Sequence, residues 1–114
     1  VFHLASVVSA GGEKDFDLAM RVNLQGGLNI LEAARAREGT PRLVFSSSLA
    51  VFGGPDLAKE VDDMTRHTPE TTYGMTKAFG ELCINDYTRK GFIDGRTVRL
   101  PTIVIRPGVP NAAA

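Results

Sequence analysis

The sequence lacks the features that define several large classes of protein. It has no tryptophan and a single cysteine, Cys83, so it predicts neither an internal disulfide framework nor a multi-cysteine zinc site. Thirteen basic and thirteen acidic residues cancel to a net charge of zero, and no net field attracts nucleic acid or a membrane surface. No stretch approaches the ~18 consecutive apolar residues of a membrane-spanning helix. These absences predict a cytoplasmic protein whose partners are small molecules or other proteins.

What remains is the composition of an ordinary globular domain. The chain has 114 residues, of which 43% are hydrophobic and 23% are charged. Neither His3 nor His67 has a partner at metal-ligand spacing, so we predict no metal site. The chain opens on Val1 rather than methionine and closes on a short alanine run. Because neither end carries a helix start or a capping signal, we expect a piece of a longer protein.

Strand-like and helix-like segments alternate along the chain. Apolar runs rich in strand formers are VFHLA, RLVFSS and GRTVRLPTIVI, and the SAGGE that follows the first has the composition of a loop. Helical periodicity predicts a long helix over residues 15–37 and a second over residues 73–90, with a polar loop over 53–71 before it. Pro101 cannot donate to a ladder, so it marks a strand end or edge.

This alternation predicts an α/β fold, a parallel sheet with helices on both faces. In such sheets, ligands bind beyond the carboxyl ends of the strands. Small hydroxyl residues follow or end the three predicted strands at Ser6, at residues 46–48 and at Thr102. The second predicted helix begins beside this edge with Tyr73 and Lys77.

Tyr73 and Lys77 suit a proton transfer coupled to a hydride transfer. Residues four apart leave the same helix face, so both side chains can reach one small molecule. A phenol is a poor base at neutral pH, but a neighbouring ammonium favours the phenolate. A serine across the cleft can hold the substrate oxygen while the tyrosine takes its proton. The hydride requires a cofactor such as a nicotinamide.

Five motifs in order carry a resemblance to a known family. They are VFHLAS, RVNLQGGLNILEA, LVFSSSLAVFGG, YGMTK and VRLP, and together they cover nearly the whole chain. The chain resembles the extended short-chain dehydrogenases/reductases, the family of NAD-dependent sugar epimerases and dehydratases. The resemblance implies a Rossmann-like doubly wound sheet and NAD as cofactor. Residues 1–114 would be its central portion, without the N-terminal βαβ unit that carries the phosphate loop and without the C-terminal substrate domain.

The resemblance also implies roles for individual residues. Ser48 would orient the substrate hydroxyl, Tyr73 would act as the base and Lys77 would favour its phenolate. Cofactor contacts are implied for Leu4, Ala5, Ser6, Asn23, Ser46, Ser47, Tyr73, Lys77 and Pro101, and substrate contacts for Ser48, Tyr73 and Arg106. Some alternatives stay open. Ser46 and Ser47 can be local turn residues, Asn23 can face solvent, and Arg99 can meet an anionic substrate or belong to its strand.

Within the family, the runs INDYTRKGFIDGR and RLPTIVIRPG resemble dehydrogenases of small sugar acids more than epimerases of UDP-sugars. The implied reaction is NAD-dependent oxidation of the C2 hydroxyl of a D-erythronate-like acid to a 2-keto acid, by a homodimer built on the two helices. The alternatives are a nucleotide-sugar 4-epimerase or dehydratase and a non-catalytic NAD(P)-binding scaffold or sensor. The family geometry would place Ser48, Tyr73 and Lys77 around one cleft, with both helices on one side of the sheet.

Overall fold

The computed structural model describes residues 1–102, which form a three-stranded sheet and the helices packed on it. The strands are β1 (Phe2–His3), β2 (Arg42–Ser48) and β3 (Asp94–Leu100). The helices are α1 (Ser9–Lys14), α2 (Phe16–Ala19), α3 (Gly26–Arg35) and α4 (Thr72–Arg89), with a π-helical turn at Met20–Gln25 and a 3-10 turn at Leu49–Val51. The strand order is β1-β2-β3 and both pairs are parallel, as the sequence predicts. No helix in this part of the chain combines the length and apolar content needed to cross a bilayer.

One face of the sheet forms the core with the helices. Leu43 and Phe45 of β2 are buried on this face, where alternate residues of a strand point the same way. The core cluster draws its buried residues from α3, β2, α4 and the residue directly before β3. They are Leu31, Ala34, Leu43, Phe45, Ile84 and Ile93. Both helical regions therefore pack on the same side of the sheet, as expected.

The opposite face of the sheet is not covered by a described helix. The register pairs Phe2 with Val44 and Ser48 with Leu100, which places these residues on that face together with Val98. Phe2, Val98 and Leu100 are exposed. The expectation of helices on both faces is therefore not met within residues 1–102, because α3 and α4 pack on the Leu43 and Phe45 side and α1 and α2 contact α4.

The first helical region differs from the prediction at two points. SAGGE, expected as a loop, contributes to helix α1, so that assignment was wrong. The predicted helix over 15–37 is helical from Phe16 to Arg35 but contains the π turn. Asp15 separates α1 from α2, and its carboxylate accepts a hydrogen bond from the Leu18 amide at 2.8 Å. Asn23, whose side chain hydrogen-bonds to the Val7 backbone, lies within this π turn.

Helix α4 matches its prediction closely. The Thr71 hydroxyl caps it by accepting from the Gly74 amide at 3.0 Å, and Gly91, with φ of +76°, follows its C-terminal cap. Strand β3 ends at Leu100, directly before Pro101, as predicted. Pro101 and Thr102 are not in a strand, and residues 103–105 of the predicted third strand lie outside the described residues.

Gly80 allows α4 to lie directly on β2. A Cβ atom at this position would fall 2.6 Å from the Phe45 ring, closer than real contacts of this kind. At Gly26, a Cβ would meet its nearest neighbour, the Arg21 carbonyl oxygen, at an ordinary 3.6 Å. The two glycines therefore differ in the space around them, although both lie in helices.

We predict that Gly80→Ala destabilises a full-length protein containing this sequence by about 1–3 kcal/mol, because overpacking outweighs the better helix propensity of alanine. Gly26→Ala is the matched control and should be neutral or stabilising by up to about 1 kcal/mol. Thermal unfolding of the two variants measures the difference. Equal melting temperatures would show that the helix shifts to accept the methyl group.

Candidate active site

The ends of the three strands meet at one edge of the sheet. Leu4, Ala5 and Ser6 follow β1, Ser48 ends β2, and Pro101 follows β3. Leu4, Ala5 and Pro101 are exposed, so this edge is open to a ligand. Arg106, the predicted substrate contact, lies outside the described residues.

A close backbone contact brings the neighbourhood of Ser48 against the start of α4. The half-buried Ser48 hydroxyl accepts from the Ala50 amide at 3.1 Å and caps the 3-10 turn. Gly74, the residue after Tyr73, packs so tightly on this turn that a Cβ would lie 2.1 Å from the Ala50 carbonyl oxygen. Only glycine permits this approach. The serine turn and the first turn of α4, which carries Tyr73, are therefore in direct contact.

Lys77 is buried beneath Tyr73. Only 3% of Lys77 is exposed, and its Nζ donates a hydrogen bond to the Ser46 carbonyl at 2.7 Å. The Nζ atom lies 5.4 Å from the centre of the Tyr73 ring and 4.9 Å from that of Phe45. Burial lowers the pKa of Lys77 from 10.5 to about 8. The ammonium form therefore still predominates at pH 7, close to both aromatic rings.

Asn23 ties three segments together rather than facing solvent. Its Oδ1 accepts from the Val7 amide at 2.7 Å, and its Nδ2 donates to the Val7 carbonyl at 2.9 Å and to the Thr76 hydroxyl at 3.1 Å. Thr76 precedes Lys77 in α4. Asn23 thus holds the segment after β1 next to the lysine, without a direct hydrogen bond to Lys77 among the described contacts. The solvent-facing alternative is wrong.

Ser46 and Ser47 point to opposite faces of the sheet and have different surroundings. The Ser46 hydroxyl donates to the His3 carbonyl at 3.3 Å from the uncovered face. Ser47 is only 2% exposed and donates its hydroxyl to the Glu81 carboxylate. The Ser47 side chain is therefore engaged inside the protein, and the predicted cofactor contact of this residue stays a prediction.

Glu81 is a buried charged residue that the sequence interpretation missed. The Arg99 guanidinium approaches its carboxylate with Nη2 2.8 Å from Oε2 and with Nε 3.1 and 3.2 Å from the two oxygens. Burial alone raises the pKa of the Glu81 carboxyl, but the hydrogen bonds from Arg99 and Ser47 outweigh it and keep the pKa below its ordinary value. Arg99 is thus held by an internal carboxylate instead of facing a substrate anion. Spacing could have indicated Glu81, because it lies one turn beyond Lys77 on the same helix face.

Comparisons with known proteins agree with the family that the sequence motifs indicate. The profile of the NAD dependent epimerase/dehydratase family matches residues 1–106. D-erythronate dehydrogenase of Cupriavidus necator is 55% identical over all 114 residues, which cover 35% of that protein. D-erythronate dehydrogenase of Haemophilus influenzae is 54% identical over the whole chain, which covers 36% of it. The chain therefore spans about a third of the length of these curated relatives.

Solved structures give the same fold. A nucleoside-diphosphate-sugar epimerase from Agrobacterium tumefaciens is 51% identical, with a TM-score of 0.91 over 98% of this chain and 34% of its own. The holo form of a GalE-like L-threonine dehydrogenase from Cupriavidus necator is 37% identical, with a TM-score of 0.77 over 87% of this chain and 32% of its own. These similarities confirm the predicted Rossmann-like α/β fold.

The buried lysine generates a prediction about pH. Between the lowered pKa of Lys77, about 8, and its ordinary value of 10.5, the unfolded chain holds a proton at this amine that the folded chain has released. Folding stability therefore rises with pH across this window, by at most about 1.4 kcal/mol per pH unit, and the contribution is flat below it. Chemical unfolding of wild type and of Lys77→Met, in a full-length protein containing this sequence, should show the wild type gaining relative stability from pH 8 to pH 10. A stability difference that is independent of pH would contradict the burial of this charge.

Proposed function

The chain belongs to the NAD-dependent epimerase/dehydratase family, and from this membership we propose that residues 1–114 form part of the NAD-binding domain of a dehydrogenase acting on a small sugar acid. The observation that carries the proposal is the arrangement at the head of α4. A buried lysine ammonium lies beside the Tyr73 ring, and the Ser48 turn packs against the same helix turn. A base, a cation that favours its ionised form and a small hydroxyl are the groups that an alcohol oxidation needs.

The described residues suit the nicotinamide half of NAD. When bound, NAD⁺ supplies the acceptor for the hydride that leaves the alcohol carbon. Lys77 has three N–H donors, and within residues 1–102 the Ser46 carbonyl is the acceptor that it meets. Donors are thus left for ligand hydroxyls at the sheet edge, where Leu4, Ala5, Ser6 and Pro101 line the opening. These residues would hold the cofactor together with Tyr73, whereas Asn23 acts by fixing the backbone after β1.

Tyr73 and Ser48 have separate tasks in the proposed reaction. The Tyr73 phenolate accepts the proton of the substrate hydroxyl as the C–H bond at the same carbon breaks. Ser48 donates a hydrogen bond to the substrate oxygen, which keeps it within reach of Tyr73. Lys77 stabilises the phenolate electrostatically in surroundings of low polarity, where a charge acts more strongly than in water. The alcohol becomes a ketone as its proton passes to the tyrosine, and bound NAD⁺ would accept the hydride from the same carbon.

The substrate class follows from the relatives rather than from a described side chain. Two relatives more than 50% identical over the whole chain are D-erythronate dehydrogenases. We infer a sugar acid of about four carbons, oxidised at the C2 hydroxyl to the 2-keto acid, as the sequence motifs imply. The structural similarity to a nucleoside-diphosphate-sugar epimerase supports a second candidate, a nucleotide-sugar epimerase, which uses the same proton transfer.

An assay with NAD separates the two candidates. A full-length protein containing this sequence should reduce NAD⁺ in the presence of D-erythronate and leave UDP-glucose and UDP-galactose unconverted. In the same assay, Tyr73→Phe should lower kcat by about 100-fold or more with NAD binding preserved, because the hydroxyl is needed for proton transfer.

Tyr87→Phe provides a matched control for the loss of a phenol. Tyr87 is the second of the two tyrosines and lies near the opposite end of α4 from Tyr73. Its hydroxyl donates to Glu32 of α3. The control should retain wild-type activity within about twofold. Interconversion of the UDP-sugars without net NAD reduction would overturn the dehydrogenase proposal, and full activity of Tyr73→Phe would overturn the mechanism for both candidates.

We further propose that the full-length protein is a homodimer joined through the outer faces of its helices. Leu82 of α4 is 60% exposed and Phe16 of α2 is also exposed, so apolar side chains remain on the helical layer opposite the sheet. Leu82→Glu should therefore convert a dimer to a monomer in sedimentation velocity. Met64→Glu changes an exposed apolar residue in a loop and should leave the dimer intact. A protein that sediments as a monomer before any substitution would rule out the homodimer.

A further inference from the structure

A second polar cluster lies beneath the candidate active site and takes no part in the proposed proton transfer. It consists of Ser47, His67, Glu81 and Arg99, which come from β2, the loop before α4, α4 and β3. Glu81 is buried, and its carboxylate accepts from Ser47 and Arg99 while the His67 Nε2 lies 3.0 Å away. These partners fully compensate the charge of the buried Glu81 carboxylate. The side chains of the cluster are therefore held in one geometry.

Arg99 extends this cluster to the loop over residues 53–70. Its Nη1 donates to the Asp62 carbonyl at 3.2 Å, and its Nη2 lies 2.9 Å from the His67 Nε2. The guanidinium also stacks on Phe52, with 4.9 Å between its carbon and the ring centre. Arg99 thus contacts Phe52, which precedes the loop, and Asp62 and His67 within the loop.

This loop connects the two ends of the proposed reaction centre. Its chain leaves the Ser48 turn and returns at Thr71, the cap of the helix that carries Tyr73. Thr68 closes its base, where its amide donates to the Val51 carbonyl at 2.9 Å and its hydroxyl donates to the Gly53 carbonyl at 2.8 Å. Between these points the loop lines an open concavity, with Gly54 and Glu70 among its walls.

We propose that Arg99 is a positioning residue that holds the loop over 53–70 in place and thereby sets the wall of the substrate site between Ser48 and Tyr73. The planar fork of the guanidinium can serve Glu81, the Asp62 carbonyl and the ring of Phe52 at once, which a lysine ammonium cannot do. The effect on substrate rests on the proposed dehydrogenase function. The effect on the loop does not depend on it.

Hydrogen exchange tests the loop directly in a full-length protein containing this sequence. In Arg99→Lys, the amides of Thr65 and Thr68, which are hydrogen-bonded within or at the base of the loop, should exchange about tenfold faster or more, with the amides in the middle of α4 unchanged. Arg96→Lys is the matched control. It lies in the same strand, its side chain is 66% exposed, and within residues 1–102 its guanidinium contacts the Asp94 carboxylate and the Gly95 carbonyl near the surface. Equal loop exchange in Arg99→Lys and Arg96→Lys would overturn the proposal.

His67→Leu keeps the test decisive if Arg99→Lys fails to fold. This change removes the His67 ring nitrogen, which is the loop's contact with Glu81 and Arg99 at this position. The Glu81–Arg99 ion pair stays in place. Exchange at Thr65 and Thr68 should again accelerate. Unchanged exchange in a folded His67→Leu protein would contradict the role of this contact.

Kinetics then distinguish positioning from a general loss of stability. In Arg99→Lys the KM for D-erythronate should rise about tenfold, while kcat and the KM for NAD stay within about threefold, because the loop bounds the substrate and not the cofactor. A parallel fall in kcat and in NAD affinity, or an unchanged substrate KM with a loosened loop, would overturn the role at the substrate site. A wild-type enzyme that does not oxidise the sugar acid would overturn the proposed function, and the exchange comparison would still decide whether Arg99 holds the loop.

Discussion

The direct packing of α4 on β2 is the contact on which the rest of the site depends. Gly80 lets the helix approach the Phe45 ring, and Gly74 lets its first turn touch the carbonyl of Ala50. A helix held this close to a parallel strand leaves little space for its inward side chains. Lys77 is therefore buried against the strand backbone, and its ammonium finds the Ser46 carbonyl as an acceptor. The proximity of serine turn, tyrosine and lysine is a consequence of backbone contact and not of side-chain attraction.

Lys77 and Glu81 are buried charged residues one helical turn apart on α4, and their surroundings differ. Lys77 meets one carbonyl and two aromatic rings, so burial lowers its pKa to about 8. Glu81 is surrounded by an arginine, a histidine and a serine, and its pKa stays below the ordinary value despite burial. Incomplete compensation suits a group that must interact with a ligand, whereas full compensation suits one that fixes a structure. The same helix thus carries an incompletely compensated charge near its start and a fully compensated charge one turn further on.

The described helices cover only one face of the sheet, although the strands carry apolar residues on both faces. Phe2, Val98 and Leu100 are apolar residues of strand type, yet they are exposed on the face that the described helices leave open. Exposed apolar residues on a parallel sheet are unusual, because such sheets are generally buried on both faces. The chain covers about a third of its curated relatives, and the fold is recognisable because the covered face alone contains the core of Leu43, Phe45 and Ile84.

The sequence by itself determined the order of strands and helices, the parallel sheet, the bounds of α4 and the family, because periodicity, caps and short motifs are local properties. Spacing of four residues was enough to place Tyr73 and Lys77 on one helix face. Only the tertiary structure decided that residues 9–14 are helical, that Asn23 lies in a π turn and that Ser47 faces inward while Ser46 does not. The partnership of Glu81 and Arg99 was equally beyond the sequence, because it joins residues 18 positions apart whose charges look like ordinary surface charges until α4 is laid on the sheet. Contacts between distant segments depend on which face each residue presents after packing, and no local pattern records that.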